Sequence, residues 1–234
     1  MPRLSVIGLD ADDTLWQNEH FFKISEARFR ELLADYAEAD HLSERLVAAE
    51  RRNLSHYGYG IKAFTLSLID TALEVTDSRV PGEIIGELLK IGREMLAHPV
   101  ETLPGVPETL EELAGRHRLV LITKGDLFDQ ERKLAASGLA EFFHAVEIVS
   151  EKDAKVYGRI FGAHGDGPEH ALMAGNSLKS DVVPAIGAGA WGVHIPHELT
   201  WALEHVEAPI DAPRFRALDR IADLPDLIAG IEGN

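Results

Sequence analysis

Four short pieces of this 234-residue chain carry side chains that could do chemistry together. The first is Asp10-Ala11-Asp12-Asp13-Thr14, directly after the apolar run Leu4-Ser5-Val6-Ile7-Gly8-Leu9. The second is Thr123-Lys124-Gly125-Asp126, after Leu119-Val120-Leu121-Ile122. The third is Ser150-Glu151-Lys152, after Ala145-Val146-Glu147-Ile148-Val149. The fourth is Gly175-Asn176-Ser177-Leu178-Lys179-Ser180-Asp181, after Ala171-Leu172-Met173-Ala174. Asp10 and Asp12 stand two apart beyond a strand, so their carboxylates can face one pocket. Such a cluster repels itself unless a divalent cation sits in it. Mg2+ suits the role, because it takes few carboxylates, near-octahedral oxygens and retained waters. One carboxylate could then attack phosphorus, while the other protonates the leaving oxygen and later activates water. Thr123 and nearby backbone N–H groups could bind phosphoryl oxygens, and a lysine, Lys124 or Lys152, could balance their charge.

Each piece alone has an ordinary structural use. An Asp-Asp-Thr after a strand caps helices, Thr123 suits a turn, Lys152 suits solvent, and Gly175-Asn176-Ser177 suits a loop. The functional reading rests on all four occurring in order, each behind an apolar strand, because strand ends of a parallel sheet converge.

The elements that must position these pieces are legible in the hydrophobic rhythm. Leu4 to Leu9 reads as a buried strand. From Trp16 to about His98 apolar residues recur at three and four: Phe21, Phe22, Phe29, Leu32, Leu33, then Leu46, Leu68, Leu73, Ile84, Leu88 and Ile91. That is helical periodicity, with breaks near Asp40, at Tyr57-Gly58-Tyr59-Gly60 and at Val80-Pro81-Gly82, so four helices are expected. After the hinge Leu103-Pro104-Gly105-Val106-Pro107 strands and helices alternate: helices over Leu127 to Ser137, Asp153 to His164 and Ser180 to Ala188, and a strand at Trp191 to Ile195. Leu218 to Ile231 reads as a strand or turn followed by a helix. The alternation predicts a doubly wound, mainly parallel α/β sheet covered on both faces. Residues 16–103 are then an all-helical insertion into a core made of 1–15 and 104–234. Because it enters and leaves at the carboxyl end of the first strand, it is expected to cover the site as a cap.

The chain resembles a haloacid dehalogenase-like hydrolase with a Rossmann-like core, of the phosphatase type with a helical cap. The family's first motif is an apolar strand followed by Asp-x-Asp-x-Thr, matched by Asp10, Asp12 and Thr14. Asp13 stands where the family usually has Gly. Thr123 matches the second motif, a lysine before a helix matches the third, and Gly175-Asn176 with Asp181 matches the fourth. The resemblance implies that Asp10 is the nucleophile and becomes an aspartyl phosphate. It implies that Asp12 is the general acid/base, with its backbone carbonyl on Mg2+, and that Thr123 binds the phosphoryl group. Asn176 stands where the family usually has a metal-binding Asp, and Asp181 can compensate directly or through water. The metal set is therefore Asp10, Asp12, Asn176 and Asp181. Lys152 and Lys155 both fit the third motif. Lys152 is favoured, because it directly follows the strand.

Other features are discounted. Gly187-Ala188-Gly189-Ala190-Trp191-Gly192 fits a dinucleotide loop by spacing, but it follows a helix and precedes a strand, so it reads as a turn. His194, His197 and His205 have no acidic partner or helical register to make a zinc site. The turn Tyr57 to Lys62 could dip toward the pocket and touch substrate.

Composition narrows the classes. With 23 Lys and Arg against 39 Asp and Glu, the formal charge is −16, a poor starting point for binding nucleic acid or an anionic membrane. There is no cysteine, which removes thiol catalysis and Cys-based zinc sites. The expected protein is cytoplasmic, a monomer or homodimer, and a Mg2+-dependent phosphatase of a small phosphorylated metabolite. A 2-haloacid dehalogenase or a phosphomutase on the same fold is the alternative enzyme. A receiver-like or non-catalytic phospho-ligand module is the alternative class. Dehalogenation is disfavoured by Asp12, since halide leaves carbon without an acid. A receiver is disfavoured because its phosphorylated Asp lies on a later strand.

Overall fold

Side chains alternate between faces along a strand, so a strand covered on both faces must be apolar at successive positions. Val6–Leu9 (β1) meets that condition at all four positions. The chain then runs through Glu19–Leu32 (α1), Ala39–Tyr57 (α2), Ile61–Val75 (α3), Gly82–Ala97 (α4) and Val106–Ala114 (α5). Strands and helices alternate from there: Arg118–Lys124 (β2), Leu127–Ser137 (α6), Ala145–Val149 (β3), Ala154–His164 (α7), Ala171–Gly175 (β4), Val183–Ala188 (α8) and Trp191–His194 (β5). Phe215–Ala217 (β6) and Leu224–Glu232 (α9) complete the described chain. The computed structural model describes residues 3–199 and 201–233.

The six strands form one sheet in the order β3-β2-β1-β4-β5-β6, and every pairing is parallel. This is the doubly wound sheet that the alternation predicts. Its two faces are read directly from β1, β2 and β4. Ile7, Leu9, Leu119, Leu121, Leu172 and Ala174 pack with Leu110 of α5 and Leu224 and Ile228 of α9. Their sequence neighbours Val6, Val120, Ile122, Ala171 and Met173 pack with Tyr157, Ile160 and Phe161 of α7. Between α8 and β5 the chain turns at Gly189, whose φ of +100° suits a residue without Cβ. The glycine-rich segment there is thus a helix-to-strand turn.

Asn18–Pro99 together with Gly125–Asp129 forms one compact unit, and the rest of the chain forms the other. The first unit is helical, with its own core of Phe29, Leu42, Leu46, Phe64, Leu68, Leu88 and Ile91. In the sheet unit, the chain segments on either side of the helical stretch run side by side. Gln17 N donates to Glu101 O at 2.9 Å, Leu103 N donates to Leu15 O at 2.9 Å, and Trp16 bridges Thr102 in antiparallel fashion.

Three details differ from the sequence reading. Val106–Ala114 is a helix directly after the hinge, where only a punctuated turn is expected. The last strand is Phe215–Ala217, before Leu218. It is a three-residue edge strand with Arg216 in its middle, too short and too polar for an apolar pattern to mark. The helix expected from Ser180 begins instead as a π-helical turn over Leu178–Val182. Regular α-helix starts at Val183, with Pro184 in its first turn, where a missing N–H costs nothing. Among the described residues no helix is long and apolar enough to cross a membrane.

Candidate active site

The site grows out of the β1–β4 pair. Leu9 pairs with Ala174, so the next residues, Asp10 and Gly175, stand side by side at the carboxyl end of the sheet. Asp10 N still donates to Ala174 O at 3.0 Å, which holds the residue in line with the strand. Asp10 is 6% exposed and Asp181 is fully buried. Between them lies Lys152, whose Nζ donates to Asp10 Oδ1 at 2.5 Å and to Asp181 Oδ1 at 2.6 Å. The other Asp181 oxygen accepts from Ser177 N at 3.0 Å. Lys155 is exposed on α7, one turn away. Of the two candidate lysines, Lys152 is the one in this group.

Charge and burial explain the protonation balance. Burial is the main force raising Asp10, Asp181 adds to it, and Lys152 opposes both, so the pKa is pushed up to about 7. Burial works against the Lys152 charge, but its two carboxylates outweigh this and hold it above the ordinary lysine value. Two buried carboxylates therefore share one cation.

Gly175 makes this approach possible. A Cβ there would stand 2.2 Å from Asp181 Oδ2 and 2.9 Å from Asp10 Cβ. Gly175→Ala is expected to drive the carboxylate out of place, lowering stability by about 1–3 kcal/mol and turnover more than tenfold. Urea melts beside activity assays check this, and an unchanged midpoint would show that the turn yields easily.

Thr14 joins β1 to the fourth motif. Its hydroxyl lies 3.2 Å from Asp10 Oδ2 and 3.3 Å from Asn176 Oδ1, and it accepts from Asn176 N at 3.0 Å. Asp13, with φ +60°, takes the left-handed conformation that favours glycine and that Asp tolerates better than most residues. Its carboxylate lies 3.7 Å from His197 Nδ1, so His197 does have an acidic neighbour. His194 Nε2 is 3.0 Å from Asn176 O. No group of three or more His, Asp or Glu side chains is placed to hold a metal among the described residues.

Asp12 sits in a second group. Oδ1 accepts from Trp16 Nε1 at 2.7 Å and from Lys133 Nζ at 2.6 Å, and Oδ2 accepts from Gln130 Nε2 at 3.1 Å. The same Gln130 nitrogen donates to Thr123 Oγ1 at 2.6 Å. Gln130 thereby ties the first motif to the second. Lys124 belongs to a third group: its Nζ donates to Ser180 Oγ at 2.7 Å and to Glu204 Oε1 at 3.0 Å, with Glu151 Oε1 at 3.4 Å. The structure thus brings Asp10, Thr14, Lys152, Asn176 and Asp181 together, joins Asp12 to Thr123, and engages Lys124 with other protein groups. The Tyr57 to Lys62 turn places Lys62 Nζ 2.9 Å from Asp126 Oδ1 and 5.7 Å from the centre of the Phe128 ring.

Sequence reading passed over Trp16, Gln130, Lys133 and Glu204. Trp16 is four residues after Asp12, and Gln130 and Lys133 are three apart on α6, so helical spacing could have found that pair. Nothing local marks Glu204.

A parallel sheet whose strand ends gather carboxylates, a buried lysine, hydroxyls and an amide is a Rossmann-like core with its site at the strand ends. The haloacid dehalogenase-like hydrolase family model matches residues 4–189, and the chain belongs to that family. It is similar to the crystal structure of a haloacid dehalogenase-like family hydrolase from Xanthomonas campestris, with 39% identity and a TM-score of 0.87 over 98% of this chain and 92% of that one. YfnB from Bacillus subtilis, solved bound to magnesium, has 16% identity and a TM-score of 0.66 over 97% and 99%. A 2-haloacid dehalogenase from Pseudomonas syringae has 21% identity and a TM-score of 0.62 over 97% and 99%. The last two likenesses concern the fold. No curated protein matches the chain.

Proposed function

We propose that this hydrolase is a Mg2+-dependent phosphatase of a small phosphorylated metabolite, working through an aspartyl phosphate on Asp10. The observation that carries the reading is the second carboxylate. Asp12 is oriented by Trp16, Lys133 and Gln130, and Gln130 links it to Thr123. Displacing halide from carbon needs no such acid, whereas expelling an alkoxide from phosphorus does.

An Asp10 oxygen attacks phosphorus, the bond from phosphorus to the leaving oxygen breaks, and Asp12 gives that oxygen a proton. Water then attacks the same phosphorus, Asp12 takes its proton, and the Asp10–phosphorus bond breaks to release phosphate, which restores the Asp10 carboxylate and the protonated Asp12. Lys152 holds Asp10 in place and offsets charge, and Thr123 binds a phosphoryl oxygen.

The donor set fits Mg2+. Asp10 Oδ2 and Asn176 Oδ1 both lie close to the Thr14 hydroxyl; with the backbone carbonyl of Asp12 they would hold the ion, which would keep waters at its other positions. Asp181 would act through water, because Lys152 and Ser177 N engage its oxygens. The ion would supply positive charge to the phosphoryl group and to Asp10, which burial otherwise drives toward its neutral form. Adding a negative ligand should strengthen this site. Asn176→Asp is expected to lower the Mg2+ concentration for half-maximal rate by about tenfold, and an unchanged or higher value would remove Asn176 from the metal set. The helical unit is inserted in the chain right after the first motif.

Hydrolysis of a generic aryl phosphate, with Mg2+ and then with EDTA, tests the proposal. Metal-dependent phosphate release is expected. Halide release from a 2-haloacid without metal, and none from the phosphate, would establish the dehalogenase reaction instead.

A further inference from the structure

Between β5 and β6 the described chain has neither helix nor strand, yet one side chain from this stretch reaches back to the strand ends. The Glu204 side chain is only 13% exposed. Its Oε2 accepts from Ser177 Oγ and from Ser180 Oγ, each at 2.5 Å, and its Oε1 accepts from Lys124 Nζ at 3.0 Å. The donors are themselves ordered. Ser177 Oγ accepts from Ser180 N at 3.0 Å, and Ser180 Oγ accepts from Lys124 Nζ at 2.7 Å. Both hydroxyl protons therefore point to the carboxylate. Burial raises the Glu204 pKa, but Lys124 and the two hydroxyls outweigh it and hold the group below the ordinary glutamate value. Lys179 Nζ also donates to Leu203 O at 2.6 Å, tying this stretch to the same turn.

An ammonium and two hydroxyls converging on one carboxylate make an oxyanion receptor. Its parts stand on the elements that carry the active site. Lys124 follows Thr123 on β2, Ser177 follows Asn176, and Ser180 precedes Asp181. Ser177 N also donates to Asp181, whose other oxygen accepts from Lys152 beside Asp10. The receptor is part of the scaffold, while its anion arrives on a stretch that no ladder or helix holds.

We infer that Lys124, Ser177 and Ser180 form a second oxyanion subsite beside the Asp10 site, that Glu204 is its resident anion, and that a second anionic group of the substrate displaces it. That group is a carboxylate or phosphate other than the one transferred. The inference depends on the phosphatase reading only for what happens at Asp10. A purely structural ion pair behaves differently: removing its acid costs stability and creates no new affinity.

The experiment is an equilibrium titration with inorganic phosphate, in EDTA, of wild type, Glu204→Ala, Glu204→Gln and the double variant Glu204→Ala/Lys124→Met. Glu204→Ala is expected to bind phosphate at least about tenfold more tightly than wild type, the scale of one charge-assisted contact made available. The gain should vanish in the double variant. Glu204→Gln, which keeps the shape, should show a smaller gain and serves alone if the alanine variant does not fold. Acetate titrated in parallel shows whether the subsite prefers a carboxylate or a phosphate. A folded glutamate variant that binds neither anion more tightly overturns the subsite, as does a gain that persists without Lys124. No turnover enters these titrations, so an inactive enzyme with the gain would defeat the phosphatase reading and leave the subsite standing. An active one without it would do the reverse.

Discussion

Asp10→Asn is expected to abolish turnover and, above pH 7, to make the protein more stable. The loss of activity follows from removing the attacking oxygen, and should reach about 10^4-fold or more, as when other covalent nucleophiles are deleted. The gain in stability follows from the environment. Burial, then Asp181, raises the Asp10 pKa from 3.8 to about 7 against the pull of Lys152. The folded state thus binds this proton more tightly than the unfolded chain. The stability this contributes is complete below about pH 4 and is lost as pH rises through 7. Asparagine has no proton to lose, and it leaves Lys152 paired with Asp181 alone. The expected difference is on the order of 4 kcal/mol in favour of the variant at pH 8, shrinking toward zero at pH 4. Urea melts of both proteins in EDTA at the two pH values measure it. A less stable variant at pH 8 would mean that the Lys152–Asp10 attraction outweighs burial. Turnover that survived would remove Asp10 as nucleophile.

Lys152→Met should have the opposite effect on stability. It leaves Asp10 and Asp181 buried and adjacent with no cation between them. Losing one partner of a buried charged group typically costs about 3–5 kcal/mol, a large share of a marginal total. Part of that cost is repulsion between the carboxylates, so Asp10→Asn added to Lys152→Met should restore roughly half of it. A double-mutant cycle from urea midpoints gives the coupling directly. Lys155→Met, on the exposed side of α7, is the control and should change stability by less than about 0.5 kcal/mol. Equal effects at the two lysines, or full additivity in the cycle, would show that Lys152 is not the shared counterion.

These two expectations rest on features that were not equally legible in the sequence. The strand Ala145–Val149, the helix Leu127–Ser137 and four helices between Trp16 and His98 follow from apolar spacing. A buried face leaves a periodic mark on the residues that form it. Where that mark is missing, the reading fails. Helix α5 is short and opens on Val106-Pro107, which reads as a hinge, and edge strand β6 has only three residues. The π-turn at Leu178–Val182 has no periodic trace at all, yet it belongs to the segment that carries Asp181 to Lys152.

By itself the sequence determined the doubly wound parallel core, the helical insertion after the first strand, and the acids, hydroxyls and lysines at the strand ends. Those properties depend on local pattern and chain order, because parallel strands need crossovers and their carboxyl ends converge. Only the tertiary structure decided who partners whom: Lys152, which its place after the strand already favours, with both Asp10 and Asp181, Asp12 with Trp16, Gln130 and Lys133, and Lys124 with Glu204. Hydrogen bonds and ion pairs act over about 3 Å. Which groups come that close depends on the path of a turn or an irregular stretch, and such paths carry no periodicity to read.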